Sequence, residues 1–237
     1  GVYKREFMRL EVFALLATTF FTYFNQTSLE TIVTPFTEIM FGWSELENSI
    51  LFCVGGIIII ISYVGIRFLN KKFNDRVILL FGVLIIMTGL IIACAILPFA
   101  DQFKNPEAHR ALKNPKFRSS SNLLNQTLIE SNGTTNASMI TYDYKYFPAF
   151  VLFVGLDVLG LPAIAICSAS LFTKLVNNNV QGIGQGIQRG ILGVGTILGP
   201  LCAGPLIFKP IVLISITLGF IIGIFVFILI TFKKLIK

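Results

Sequence analysis

Charge is what this chain has least of. Asp, Glu, Lys and Arg make up only 13% of its 237 residues, hydrophobic residues make up 54%, and the mean hydropathy is +0.80. A soluble domain of this size keeps far more charge on its wet surface, so that class is excluded and the lipid bilayer becomes the first expected partner. Histidine is nearly missing too: the single one, His109, lies in a hydrophilic stretch. The sequence holds no Walker loop, nucleophile elbow, zincin motif or carboxylate pair on one helix face. These absences argue against an enzyme, against ATP-driven transport and against a cofactor or metal. The four cysteines, Cys53, Cys94, Cys167 and Cys202, all sit inside apolar runs, so neither a disulfide framework nor a metal cluster is expected. The net charge of +7 does not point to nucleic acid, because the basic residues cluster at the ends of apolar runs and not in an aromatic-interleaved patch. No signal peptide opens the chain, and without an initiating Met before Gly1 the start of a longer protein is expected to be missing.

What is present is a series of six apolar runs, each long enough for the ~20 helical residues that a bilayer core requires. They predict an all-α membrane protein with spans at about 7–34, 48–69, 76–98, 147–175, 182–207 and 211–232. The first begins after Lys4, Arg5 and Arg9, and Pro35 is expected to break or kink its far end. The third and sixth runs are apolar all round and are expected to face lipid.

Between the third and fourth runs lies a long polar stretch, 101–146, rich in Ser, Asn and Thr. Three N-glycosylation sequons, at Asn125, Asn132 and Asn136, fall within it, which assigns the loop to a lumen or the cell exterior. Short basic clusters at Lys4/Arg5/Arg9, Arg67/Lys71/Lys72/Arg76, Lys174 and Lys233/Lys234/Lys237 fall on the opposite side if six helices alternate. By the positive-inside rule that side is cytosolic, and so are both ends of the segment.

The fifth run, QGIGQGIQRGILGVGTILGPLCAGP, is the least like a plain anchor. At 100° per residue Gln181, Gln185, Gln188, Arg189 and Thr196 form one stripe, with Gly182, Gly186, Gly190 and Gly193 on the neighbouring one. The polar stripe is expected to line a wet cavity, and the glycines to let another helix approach closely. Gly199-Pro200 is expected to weaken the helix for bending.

Intramembrane ionisable groups are costly and mark pathways by default. Asp157 lies ten residues into the fourth span, roughly 15 Å deep at 1.5 Å per residue. Arg189 lies seven residues into the fifth, roughly 10 Å by the same rise. If these consecutive helices pack side by side, the two meet, either as a fixed ion pair or as part of an ion or substrate site with Gln185 and Gln188. Glu30 sits near the other end of the first span, as a cavity-mouth carboxylate that binds a proton or cation or as a solvated interfacial acid. The loop at 65–76, with Arg67, Asn70, Lys71, Lys72, Asp75 and Arg76, reads as a charged link or a gating latch.

Six spans, a basic loop after the second and a Gly-rich fifth span carrying Gly195, Gly199, Pro200 and Gly204 resemble the carboxy-terminal half of a major facilitator superfamily transporter. The loop at 65–76 is similar to a degenerate form of that family's basic signature, with Asn70 where an acid is usual and Phe73 where a glycine is usual. Glu30-Thr-Ile-Val-Thr-Pro35, Ile78-Leu-Leu-Phe-Gly82 and Leu198-Gly199-Pro200, with the sequon-bearing loop, resemble a lysosomal branch of the family whose members are associated with anion (chloride) permeation. The resemblance implies two six-helix halves around a central cavity, so that an N-terminal half is a missing partner. It implies a secondary transporter of a small solute working by alternating access in the lysosomal or late endosomal membrane, with an Arg-bearing cavity that favours an anion. A lysosomal anion channel and a non-transporting receptor or scaffold are the alternatives.

Overall fold

The computed structural model describes residues 10–97, 144–177 and 180–232, and every regular element among them is helical. Six long helices follow in order: α1 Leu10–Phe41, α2 Glu45–Lys72, α3 Asp75–Ile96, α4 Phe147–Leu175, α5 Gln181–Ala203 and α6 Pro210–Thr231. Short 3₁₀ turns precede α4 at Tyr144–Tyr146 and follow α5 at Gly204–Leu206. The sequons at Asn125, Asn132 and Asn136 lie outside the described residues.

Local chemistry explains the boundaries. Gly42, at φ 66°, closes α1 with its N–H on Glu38 O at 3.1 Å, a left-handed position that suits a residue without Cβ. The next helix starts at Glu45, and the N–H of its N-cap Ser44 donates to the Glu47 carboxylate at 2.8 Å, the return half of a capping box. Glu45 and Glu47 sit in the first turn of α2, and Lys71 and Lys72 in its last, each complementing the helix dipole. Pro210 opens α6, where its missing N–H costs nothing.

Two seams of small residues organise the packing. On α3 and α4, Gly82 and Gly160 face each other so closely that a Cβ on Gly160 would lie 2.9 Å from Gly82 O, and one on Gly82 would lie 2.9 Å from Ala163 Cβ. On α1 and α5, a Cβ on Gly195 would stand 2.8 Å from Phe20 O, and one on Gly199 would overlap the Thr27 hydroxyl and come within 3.0 Å of Phe24 O. In lipid, where apolar side chains gain little by meeting one another, such backbone approach is what binds helices.

Five of these helices, α2 to α6, are long and apolar enough to cross a membrane. The exception is α1, diluted by Thr18, Thr19, Thr22, Asn25 and Ser28, all of which turn inward and are buried. Thr18 and Thr19 donate their hydroxyls back to Ala14 O at 2.8 Å and Leu15 O at 3.0 Å, so the helix hides its own polarity.

Two expectations about the helices need correction. Pro35 lies inside α1 and does not end it; the helix continues to Phe41, seven residues beyond the expected end at 34. Its last turns are held by rings: Phe36 stacks on Phe150 at 5.4 Å, and Phe41 packs edge-on against Phe147 at 5.7 Å. The second concerns α3 and α6, expected to be apolar all round and to face lipid: only part of each can do so. Each buries a stripe, Ile78 to Ala93 on α3 and Leu213 to Thr231 on α6, whereas α2 buries only Asn48 and Ile66.

Candidate functional site

One face of α1 carries the polar track. Thr19, Tyr23, Gln26 and Glu30 recur at spacings of four, three and four, so they share a stripe. Two cavities open along it, and their linings differ in chemical character.

The first cavity, about 160 Å³, lies between α1, α2 and α4. It is lined by Gln26, Glu30 and Asp157, with Gly55 and Gly56 of α2 on the wall where no side chain projects. Asp157, only 6% exposed, accepts a hydrogen bond from Asn25 Nδ2 at 3.0 Å. Glu30 accepts one from Gln26 Nε2.

The second cavity, about 180 Å³, is lined by Thr19, Tyr23, Tyr63, Ser168, Gln188 and Arg189 among others. Its polar groups are hydroxyls, an amide and a guanidinium, and no carboxylate is among the lining residues. Gln188 is buried and its Nε2 donates to Thr19 Oγ1 at 3.4 Å. Arg189 forms no ion pair and no hydrogen bond among the described residues.

The expected meeting of Asp157 and Arg189 therefore does not occur. The reason is that α5 leans on α1 through Gly195 and Gly199 and touches α4 only near its own start, where Gly184 abuts Phe172. Arg189 consequently faces the Ser168 level of α4, eleven residues beyond Asp157, or about 16 Å along the helix at 1.5 Å per residue.

The glycine stripe is corrected in the same way. A Cβ at Gly182, Gly186, Gly190 or Gly193 would meet nothing within 4 Å, so those four make no close contact among the described residues. Close packing falls on Gly184 and Gly195, on the other side of the polar stripe, and on Gly199, in line with Gln181. Gln185 is exposed and lines neither cavity, and Pro200 sits exposed inside an unbroken helix.

The sequence reading assigned no role to Asn25, Tyr23 or Tyr63; only the packing of the helices brings Asn25 to Asp157 and the two tyrosines to the second cavity. It also left the loop at 65–76 open. There Asp75 accepts hydrogen bonds from Ser170 Oγ at 2.7 Å and Lys174 Nζ at 2.5 Å, and Arg76 donates to Phe232 O at 3.2 Å while its guanidinium lies over the Phe232 ring. The start of α3 is thus tied to the ends of α4 and α6.

With this geometry in view, comparison with known proteins has a context. No family model matches the chain, and no solved structure matches it. A curated relative does match: major facilitator superfamily domain-containing protein 8 of Xenopus laevis, 26% identical over 184 residues. The chain is similar to a major facilitator superfamily protein. The alignment takes in 73% of this chain but only 35% of the relative, so the chain spans about a third of domain-containing protein 8. A multi-pass helical membrane protein accords with both the relative and the five apolar helices.

Proposed function

We propose that this chain is one six-helix half, 1–237, of a secondary-active carrier that moves a small anionic solute by alternating access. The observation that carries the anionic preference is Arg189, a guanidinium with no acidic partner, in a cavity of hydroxyl and amide donors. Arg189 is exposed on the cavity side, so its charge is open to a solute that enters there. Tyr23, Tyr63, Thr19 and Ser168 supply neutral donors that hold an anion without fixing a second charge. Gln188 and Thr19 form one wall, and Glu30 and Asp157 line the continuation of the track on the far side. Transport then consists of exposing this track to one side of the membrane and then the other, against a missing N-terminal half.

The sequence resemblance to a lysosomal branch of the family supports an endolysosomal membrane, and the sequons and basic clusters support a lumenal 101–146 loop with both ends of the segment cytosolic. The test is flux of radioactive chloride and of small organic anions into vesicles bearing the full-length protein. Arg189→Ala abolishes flux while expression and trafficking persist; unchanged flux removes the assignment. Patch recording of the organelle membrane separates a carrier from an anion channel, because a channel gives unitary currents that a conformational cycle cannot match. A receptor or scaffold gives no flux at all and tolerates loss of both Asp157 and Arg189.

A further inference from the structure

Asn25 and Gln26 stand side by side on α1 and use their amides in the same way. Asn25 Nδ2 donates to Asp157 at 3.0 Å, and Gln26 Nε2 donates to Glu30. Each amide therefore directs its N–H to a carboxylate and leaves its carbonyl oxygen elsewhere. Both of those oxygens, Asn25 Oδ1 and Gln26 Oε1, are buried with no hydrogen-bond donor, and so is the Thr22 hydroxyl one turn away. Asn25 is 1% exposed, so water from outside the bundle does not reach it. An amide oxygen can only accept, and leaving one buried and unanswered costs about 1–3 kcal/mol. Gln26, whose oxygen is one of them, lines a cavity together with the buried Asp157 carboxylate, and an unanswered acceptor beside a carboxylate calls for a positive charge or a donor. The cavity of about 160 Å³ beside Gln26, Glu30 and Asp157 has room for one, with Gly55 and Gly56 keeping the opposite wall clear.

We infer that this cavity is a binding site for a hard monovalent cation of the sodium type. Asp157 and Glu30 supply carboxylate oxygens and Gln26 an amide oxygen from the cavity lining; Asn25 and Thr22 are not part of that lining, but their unanswered oxygens lie on the same stretch of α1. Hard cations select oxygen ligands of this kind. A softer metal lacks its ligands, since no group of three His, Cys, Asp or Glu side chains is brought together among the described residues. Of the two carboxylates only Asp157 is buried, while Glu30 is exposed and keeps its charge screened by water, so the site balances a single charge better than a double one. A proton would satisfy one oxygen and leave the two amide carbonyls as they are, so a proton alone is a poorer fit. The inference deepens the carrier reading by naming a coupling ion, and rests on it for that role; binding itself does not depend on Arg189.

The experiment is equilibrium binding of radioactive sodium to the full-length protein in lipid nanodiscs. Saturable binding is expected, displaced by excess sodium and not by choline. Asp157→Asn and Gln26→Leu each weaken it at least about tenfold, while Arg189→Ala leaves it unchanged. Gln26 is only partly buried, so if Asp157→Asn fails to fold, Gln26→Leu alone carries the comparison. Absence of saturable sodium binding overturns the inference, since the cavity then holds water or a proton. Equal affinity in Gln26→Leu and the parent overturns it as well. Sodium binding that survives in a protein whose anion flux ignores Arg189→Ala would sink the anion reading and leave this one standing.

Discussion

Asn25 and Asp157 lie 132 residues apart in sequence and 3.0 Å apart in space, joined by a hydrogen bond that crosses from α1 to α4 in a buried setting. This bond, and not an ion pair with Arg189, is what the buried carboxylate has for a partner among the described residues. Deleting one side of it is expected to be worse than deleting both, because an orphaned buried acceptor keeps its desolvation cost. Asn25→Leu should lower the stability of the purified full-length protein by about 2 kcal/mol, the range for hydrogen bonds to charged groups. Combining it with Asp157→Leu should recover part of that loss. Thermal unfolding followed by intrinsic fluorescence reads both, and an Asn25→Leu protein as stable as the parent would show that the bond holds nothing.

The two glycine stripes of α5 make opposite forecasts. At Gly195 an added methyl meets Phe20 O at 2.8 Å, a backbone atom that cannot swing away. Gly195→Ala should therefore force α5 off α1 and cost on the order of 1–3 kcal/mol, as overpacking does. At Gly186 the same methyl meets nothing within 4 Å, and alanine is the better helix former by up to about 1 kcal/mol. Gly186→Ala should leave yield and melting temperature level or slightly raised. A loss at Gly186 as large as that at Gly195 would mean that another surface lies against the first stripe.

Those two stripes also mark where sequence reading stopped. Both repeat at helical spacing, and the glutamine and arginine stripe lies between them, so periodicity alone cannot say which side is buried. The choice is made by α1, where Phe20, Phe24 and Thr27 present the backbone that α5 needs. The apolar runs themselves were plain, because twenty residues without charge have few other uses, and their boundaries at α4 and α6 agree with the runs to within a residue. Pro35 misled for a different reason: a proline breaks an isolated helix, but here the aromatic cluster of Phe36, Phe41 and Phe150 stabilises the turn that follows it. Adjacency in sequence misled at Asp157 and Arg189, since α5 prefers α1 as its neighbour.

At the α3–α4 junction the geometry separates a working bond from a decorative one. Asp75 has a side chain 10% exposed and receives Ser170 as well as Lys174, whereas the Lys174 side chain is 65% exposed. An exposed lysine in an ion pair contributes roughly 0–1 kcal/mol. Lys174→Ala should consequently shift the unfolding midpoint little, and less still at high salt. Asp75→Ala, which strands the Ser170 hydroxyl and removes a first-turn acid from α3, should cost more, about 1–3 kcal/mol. A double-mutant cycle measures the coupling, and one well above 1 kcal/mol would promote the pair to a real latch.

The anion cavity offers the sharpest separation of charge from hydrogen bonding. Tyr63 on α2 and Tyr23 on α1 line it together with Arg189, and each brings a phenol hydroxyl to a place where the guanidinium supplies the charge. Removing one hydroxyl leaves the charge in place and takes away one neutral donor. Tyr63→Phe and Tyr23→Phe should each raise the KM for the transported anion about tenfold or more, the equivalent of 1.5–3 kcal/mol for a hydrogen bond to a charged group. The maximal rate should change less, because nothing that moves has been altered. Arg189→Lys keeps a positive charge but loses the planar fork, and should bind the anion less well than the parent while still outperforming Arg189→Ala. Vesicle flux over a range of anion concentrations decides it. If the phenylalanine variants transport with an unchanged KM, the hydroxyls do not touch the solute, and the anion must be held by the arginine from another side.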